Sequence, residues 1–321
     1  MNIVRFLKDW TLPVAMLTGT SVCLLFTYVP SLRPIGAVLA PLAVSSQPVL
    51  LFLMLFVTFC KARFHRLRPK PWHLVVAAMQ VAMAVVFTLI IALSHPNGDA
   101  LIALEACLAI AVCPCAAAAV VVAQKLGGDV EETTAYTLLS NVIAAAVIPA
   151  TFPFVERGTD VSFAAAATAI MTHSVAVLVV PMALAYVVKR WLRPLHRAVV
   201  GVKDLSYYIW AVLLALVVGV TVGGIIGSNV SLALLLTIAV SALTLCLIQF
   251  AAGRHTGRRY SRTAECGQSL GQKNSSFAIW IAATFLSPLA ALGPGCYMVW
   301  QNIVNSAEIW HHHRAENADR R

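Results

Sequence analysis

Long apolar stretches separated by short polar breaks run along almost the whole chain. Ten stretches are long enough to cross a bilayer as a helix, because about 20 apolar residues span its hydrocarbon core. They occupy residues 11–29, 38–60, 72–94, 101–126, 129–153, 161–188, 205–227, 231–252, 262–286 and 287–310. The pattern predicts an all-α polytopic membrane protein with ten transmembrane helices.

The composition agrees with this class of protein. Hydrophobic residues make up 60% of the 321 positions, charged residues make up 11%, and the mean hydropathy is +0.83. A soluble globular domain carries roughly a quarter charged residues, so a soluble fold is excluded. We interpret residues 1–321 as a single membrane domain. Its first segment is expected to be a span rather than a removable signal peptide, because it lacks a small-residue cleavage site.

The basic residues predict how the helices are oriented. With both termini in the cytoplasm, 20 of the 23 lysines and arginines fall in inner segments, and only Arg33 and Arg157 fall outside. An excess of basic residues usually marks the cytoplasmic side of a membrane protein, and it suits the anionic lipid of the inner leaflet. It explains the net charge of +10 without nucleic-acid binding. We expect a protein of the cell membrane, the bacterial inner membrane in particular, with residues 311–321 as a cytoplasmic tail.

One lysine does not fit the inside-outside division. Lys273 lies in the ninth segment, in the stretch SLGQKNSSFAIW, about 11 residues beyond Arg262. At 1.5 Å per residue this is roughly 16 Å into the bilayer, where a charge is costly unless it faces protein or water. One interpretation is a structural lysine paired with a carboxylate. The other, which we favour, is a lysine that lines a substrate or ion pathway.

Two of the segments are interrupted near the middle. Pro114 removes a backbone donor from the fourth segment, and Gly271 precedes Lys273 in the ninth. Breaks at corresponding positions in two five-helix halves are typical of inverted-repeat transporters, so residues 11–153 and 161–310 are predicted to be the two repeats. Polar positions follow each break, and hydrogen bonding between helices is the alternative explanation for them. They are Thr133, Thr137, Ser140 and Asn141 in the fifth segment and Gln301, Asn302 and Asn305 in the tenth.

The cysteines give little sign of chemistry. Cys113 and Cys115 flank Pro114 and could form a metal or redox pair, but small apolar filling of a packed helix is the favoured interpretation. No metal and no other cofactor is predicted. An intramembrane enzyme is disfavoured too, because the spans contain neither paired catalytic aspartates nor a G-x-S-x-G motif.

Several motifs resemble those of the bile acid:sodium symporter (BASS) family. They are LMLFVTFCKARFHRLRPKPW, CPCAAAAVVVAQKLGGDVEETTAYTLLSN and SLGQKNSSFAIWIAATFLSPLAALGPGCYMVWQNI, and the resemblance covers nearly the whole chain. It implies ten helices in two inverted repeats, with a panel of four helices flanking a core of six. It also implies that the broken fourth and ninth helices cross at their unwound centres.

The family's sodium sites are altered in this sequence. Ungapped alignment puts Ala119 and Val120 where sodium-coupled members have a serine-asparagine pair. In the ninth segment, Ser269 replaces a glutamate and Lys273 replaces a glutamine, which makes this chain a divergent member. The other positions that the resemblance assigns to ion binding are Gln80, Thr133, Thr137 and Gln272.

These changes predict a secondary transporter of small organic anions in which Lys273 replaces the coupling cation. An ammonium group carries the charge of a sodium ion and donates three hydrogen bonds, so sodium is not expected to be needed. The expected substrate is bile-acid-like, a steroid sulfate or a keto acid. The expected substrate-binding residues are Lys273, Asn274, Ser275, Gln301 and Asn302.

Alternatives to this hypothesis remain. Coupling to a sodium ion or to a proton is one, and a membrane receptor or sensor that uses a transporter fold is another. A carboxylate could also neutralise the lysine. The candidates are Glu265 near the inner surface and Asp129 and Glu132 at the entrance of the fifth span.

Overall fold

The structure is a computed structural model that describes residues 11–61, 68–155, 163–202, 205–227 and 230–319. Within these ranges the chain is helical apart from turns and two short breaks. The helices, numbered in chain order, are α1 Thr11–Tyr28, α2 Arg33–Lys61, α3 Pro71–Ser94, α4 Gly98–Val112, α5 Ala118–Lys125, α6 Val130–Thr151, α7 Phe163–Ser174, α8 Val180–Trp191, α9 Arg193–Gly201, α10 Leu205–Gly227, α11 Leu232–Tyr260, α12 Thr263–Gly271, α13 Ser275–Phe285 and α14 Leu292–Asp319.

Each of the ten apolar segments contains helix. Five helical stretches of the described chain are long and apolar enough to cross a membrane unaided: Arg33–Lys61, Pro71–Ser94, Val130–Phe154, Ile170–Trp191 and Leu232–Tyr260. The fourth and ninth segments are each divided into two shorter helices. An all-helical, multi-pass membrane protein is thus confirmed at this level.

Some boundaries differ from those expected. Helix α11 continues to Tyr260, eight residues beyond the predicted end of the eighth span, and α14 continues to Asp319, through most of the expected tail. The short helix α9 lies between the sixth and seventh apolar segments. None of its residues is buried, and Pro194 stands in its first turn, where a missing N–H costs nothing.

The chain divides into two compact units. The first comprises Met1–Lys61 and Val180–Ser231, and the second comprises Ala62–Val179 and Leu232–Arg321. The resemblance implies a panel of four helices and a core of six. The boundary between the two compact units falls within the sixth apolar segment, residues 161–188. The cut falls just after the π-helical turn Val175–Val179.

In the first unit, glycines let α1 and α10 approach closely. A Cβ atom on Gly19 would lie 2.1 Å from the carbonyl oxygen of Ala215, and one on Gly219 would lie 3.0 Å from the carbonyl oxygen of Gly19. Small residues are the usual means of close helix packing in membranes, where the lipid is as apolar as the side chains. Only glycine therefore fits at position 19.

In the second unit, α11 and α12 pack against each other in the same way. A Cβ atom on Gly253 would lie 2.4 Å from the carbonyl oxygen of Cys266, and one on Gly257 would lie 2.5 Å from that of Arg262. A Cβ atom on Gly271 would meet the ring of Phe250. The end of α12, and hence the break that follows it, is fixed against α11 by these contacts.

We expect Gly19→Ala to destabilise the protein by about 1–3 kcal/mol, because the added methyl group clashes with backbone. Gly224→Ala is the matched control, because nothing lies within 4 Å of a Cβ atom at that position. The measurement is the melting temperature of each variant in detergent. Equal melting temperatures for the two variants would contradict the close packing of α1 on α10.

Candidate functional site

The site is built around the two breaks in the second unit. The first break separates Val112, the last residue of α4, from Ala118, the first of α5. The second separates Gly271, the end of α12, from Ser275, the start of α13. Pro114 lies within the first break and has no backbone N–H to donate.

The two breaks cross and bind each other through their backbones. The N–H of Ala116 donates to the carbonyl of Gln272, and the N–H of Asn274 donates to the carbonyl of Pro114, both at 2.9 Å. This is an isolated antiparallel bridge centred on Cys115 and Lys273. Each break therefore provides a hydrogen-bond partner for backbone groups that the other break leaves without a helical partner. Buried backbone N–H and C=O groups need such partners.

The geometry of the bridge fixes where Lys273 points. The two hydrogen bonds flank Cys115 and Lys273, so these residues form a non-hydrogen-bonded pair, with side chains close together on one face. Lys273 is only 1% exposed, and its Nζ has no hydrogen-bond partner among the described residues. The ammonium group is buried beside the neutral thiols of Cys113 and Cys115.

Gln80 on α3 supports the first break. Its Nε2 donates to the carbonyls of Val112 and Cys113, at 3.3 and 3.1 Å. Its Oε1 accepts from the hydroxyls of Tyr136 and Ser140 on α6, at 3.2 and 3.1 Å. The amide is therefore held from both ends, and its main role in this structure is to satisfy the carbonyls at the end of α4.

Gln301 on α14 supports the second break. Its Oε1 accepts from the N–H of Lys273 at 2.8 Å, and its Nε2 donates to the carbonyl of Lys273 at 3.2 Å and to the hydroxyl of Ser275 at 3.4 Å. One turn earlier, Tyr297 donates its hydroxyl to the carbonyl of Gly271 at 2.6 Å. Together they orient the backbone from which Lys273 projects.

The two breaks are supported in corresponding ways. The N–H of Cys115 donates to Ser140 at 2.9 Å, just as that of Lys273 donates to Gln301. In each case a bridge residue is bound by a polar side chain from the next long helix, α6 or α14. Each half of the second unit therefore contains the same local arrangement.

The remaining residues predicted from sequence differ in their positions. Asn274 accepts from the N–H of Phe277 and begins α13, and its Nδ2 has no partner among the described residues. The side-chain oxygens of Ser269 and Gln272 are buried and also lack such partners. Asn302 instead donates to a carbonyl of its own helix, that of Met298, at 2.6 Å. The role of Asn302 as a substrate contact stays a prediction.

The two threonines of α6 also bond within their own helix. The hydroxyl of Thr133 donates to the carbonyl of Asp129, and that of Thr137 donates to the carbonyl of Thr133. Thr137 lies beside the first break, because its hydroxyl is also 3.6 Å from the sulfur of Cys115. Of the two, only Thr137 therefore contacts the bridge.

Sequence reasoning missed two contacts at the breaks. Tyr297 precedes Gln301 by one helical turn, a spacing that could have been recognised. Cys113 donates its thiol to the carbonyl of Asn274 at 2.9 Å, so it binds the opposite break and does not merely fill space. A further buried polar residue, Gln249 on α11, was also not singled out, and neither of its polar side-chain atoms has a partner among the described residues.

The carboxylates proposed as partners of Lys273 are engaged elsewhere. Glu132 accepts from the indole N–H of Trp72 at 3.0 Å and from Arg262 at 2.9 Å, and it lies 3.3 Å from Lys70. This cluster joins the starts of α3, α6 and α12.

Glu265 accepts from the backbone N–H of Asp129 at 2.8 Å and lies 3.6 Å from Arg262. The side chain of Asp129 accepts from two N–H groups of the first turn of α6 and so caps that helix. None of these three acidic residues is hydrogen-bonded to Lys273.

Comparison with known proteins gives one result. The sequence model of the sodium bile acid symporter family matches residues 48–228, which is more than half of the chain. Curated proteins gave no match. The matched residues include the first break and its support from Gln80 and Ser140, while the second break lies beyond them.

We expect Gln301→Ala to lower stability by about 1–3 kcal/mol for each polar group left unsatisfied at Lys273. Asn302→Ala is the neighbouring control, because it removes only a hydrogen bond within α14. Thermal unfolding in detergent distinguishes them, and a much larger loss for Gln301→Ala is the expected result. The support of the second break by Gln301 would be contradicted by equal losses for the two variants.

Proposed function

Because the chain belongs to the sodium bile acid symporter family, we propose that it is a secondary transporter of small organic anions that works by alternating access without sodium. Family membership and the apolar helices make it a multi-pass membrane transporter rather than an enzyme. The substrate class and the coupling are the proposal. The observation that carries it is the buried ammonium of Lys273 at the crossing of the two breaks, which has no partner among the described residues.

The ten helices are proposed to form two inverted five-helix repeats. In support, the backbone N–H groups of Cys115 and Lys273 are bound in corresponding ways, by Ser140 on α6 and Gln301 on α14. The broken pairs α4–α5 and α12–α13 each precede the helix that supports them. Such a pair of discontinuous helices is where many transporters bind substrate and ions.

An anionic substrate is proposed because the site needs a negative charge. A buried ammonium without a counter-charge is costly, and a carboxylate, sulfate or sulfonate would supply both charge and hydrogen-bond acceptors. The neighbouring residue Asn274 has a buried amide nitrogen that can donate a hydrogen bond, since it has no partner in the described part of the chain. We propose Lys273, Asn274 and Ser275 as substrate contacts. Gln301 acts by holding their backbone, and Asn302 is the weakest candidate.

Independence from sodium is proposed from the same residues. Sodium favours hard oxygen ligands and an offsetting negative charge, and the position expected to supply that charge is Ser269. The side-chain amide of Gln80, another expected ion-site position, already makes four hydrogen bonds, two to backbone carbonyls of the first break and two to hydroxyls of α6. A sodium ion about 4 Å from the ammonium of Lys273 would be repelled by about 4 kcal/mol at an effective dielectric constant near 20.

We expect uptake of an organic anion into proteoliposomes to be unchanged when sodium is replaced by choline. Lys273→Gln should reduce this uptake at least tenfold, because the charge that attracts the anion is lost. Lys125→Gln is the control, since that lysine is exposed on α5. Adding Ser269→Glu to Lys273→Gln is expected to restore some response to sodium.

Strong dependence of the wild-type protein on sodium would contradict the proposed role of Lys273. The screen should include taurocholate, estrone sulfate and pyruvate, which represent the three substrate classes. Specific binding of an anion without any flux would favour a receptor over a transporter.

We also propose that both termini are cytoplasmic, because 20 of the 23 basic residues then lie on the inner side. A reporter fused after Arg321 that is active only in the cytoplasm should be active. An external carboxyl terminus would contradict the even number of spans and the inverted repeat.

A further inference from the structure

The charge of Lys273 determines which carrier states are electrically neutral. Building on the function proposed above, we infer that each monovalent organic anion is carried together with one proton, and that Lys273 holds this proton at the crossing of the breaks. The transport cycle is then electroneutral. The steps below follow from the contacts and charges around this side chain.

Among the residues that the structure describes, no carboxylate is bound to the ammonium group of Lys273. The titratable groups of the breaks and their supporting helices are the thiols of Cys113 and Cys115, the phenol of Tyr136, which binds Gln80, and the phenol of Tyr297, which binds the carbonyl of Gly271. Other buried polar groups on these elements and on α11 are uncharged amides and hydroxyls, and they include Gln249 on α11, Ser269 and Gln272 on α12, Thr137, Ser140 and Asn141 on α6, and Gln301 on α14.

The buried or partly buried carboxylates of the described chain have other partners. Glu105 accepts from the N–H of Ser287, and Glu308 pairs with Arg254. Glu132 and Glu265 bind the groups described above, around Arg262. A bound anion is therefore the counter-charge that would neutralise a protonated Lys273 without rearrangement of these contacts.

For net transport, a carrier must expose its site to each side in both the loaded and the empty state. With a protonated lysine and one bound anion, the site is neutral. After the anion leaves, a protonated lysine would be an isolated buried cation, which is unfavourable in a medium of low dielectric constant. Loss of the proton restores neutrality, so the empty site reorients as the free amine.

The cycle balances in atoms and charge. On the outer side, the amine of Lys273 takes a proton from water and the site takes one monovalent anion. On the inner side, the anion leaves and the ammonium returns its proton to water or buffer. Each turn moves one anion and one proton in the same direction, with no net charge and no other reactant. A sulfate or sulfonate substrate keeps its own charge, so the proton must then be carried by the protein.

A polar path leads from the second break to a cavity of about 500 Å³. Along one face of α14 lie Gln301, Asn305 and Glu308, and Gln268 on α12 donates to the last two at 2.9 and 2.8 Å. Arg254, Glu308 and His311 line the cavity. Side-chain oxygens of Gln268, Ser269 and Gln272 beside this path have no partners among the described residues and can accept hydrogen bonds. In the proposed cycle, water that enters from the cavity along these groups carries the proton between Lys273 and the surface.

The test uses purified full-length protein in liposomes with taurocholate, estrone sulfate and pyruvate as probes. Outside pH one unit below inside pH should sustain about a tenfold accumulation of a transported probe, since one proton accompanies each anion. A membrane potential imposed with potassium and valinomycin should not change this accumulation. Liposomes without protein correct for passive entry of pyruvic acid.

Two substitutions separate proton carriage from anion binding. Lys273→Arg keeps the charge but cannot release the proton, so exchange of internal for external anion should continue while net uptake falls at least tenfold. Lys273→Gln carries no proton, so its residual uptake should follow the membrane potential rather than the pH gradient. Lys125→Arg should behave as the wild type. Melting temperatures show whether each variant is folded.

The outcomes are distinct. Net wild-type uptake that follows the membrane potential and ignores the pH gradient would overturn the inference and leave the proposed function standing. Full net uptake by folded Lys273→Arg would overturn it as well. No flux of any of the three probes would contradict the proposed function itself.

Discussion

The need to satisfy freed backbone groups in a buried site is the constraint on which the second unit depends. The helix pairs α4–α5 and α12–α13 are interrupted where they cross, and each break donates one backbone hydrogen bond of 2.9 Å to the other. The carbonyls and N–H groups that remain are bound by side chains from α3, α6 and α14. Because these side chains bind backbone, they fix the geometry of the site without needing any particular substrate.

This division of roles changes how the polar residues are interpreted. Sequence patterns identify Gln80 and Gln301 as polar groups within spans, and both a ligand site and packing between helices explain that position equally well. Their hydrogen bonds assign them to the breaks. Lys273 is different, because its backbone is fully bound while its ammonium group is not. Among the described groups at the crossing that lack a partner, the ammonium of Lys273 is the one that can carry a charge, which makes it the candidate for chemistry.

Much of the fold could be predicted because hydrophobic length is a strong signal and the breaks have local causes. Pro114 removes a donor, and Gly271 ends α12 where Phe250 leaves no room for a side chain. Pairings between residues far apart in sequence could not be predicted. Cys113 binds the carbonyl of Asn274 in the opposite break, and Glu132 pairs with Arg262, which lies 130 positions away. Helical periodicity gives the face of a residue but not the helix that it meets.

Two kinds of charge in the second unit illustrate why Lys273 is the functional candidate. At the starts of α3, α6 and α12, Glu132 forms ion pairs with Arg262 and Lys70, and the side chains of both basic residues are more than a third exposed. Those groups can be solvated or paired at small cost, so they serve mainly to join the helices. Lys273 is only 1% exposed, and its ammonium group has no acidic partner among the residues that the structure describes. A protonated lysine under that constraint is costly unless a negative charge enters the site, and this cost is the physical basis for proposing an anionic substrate.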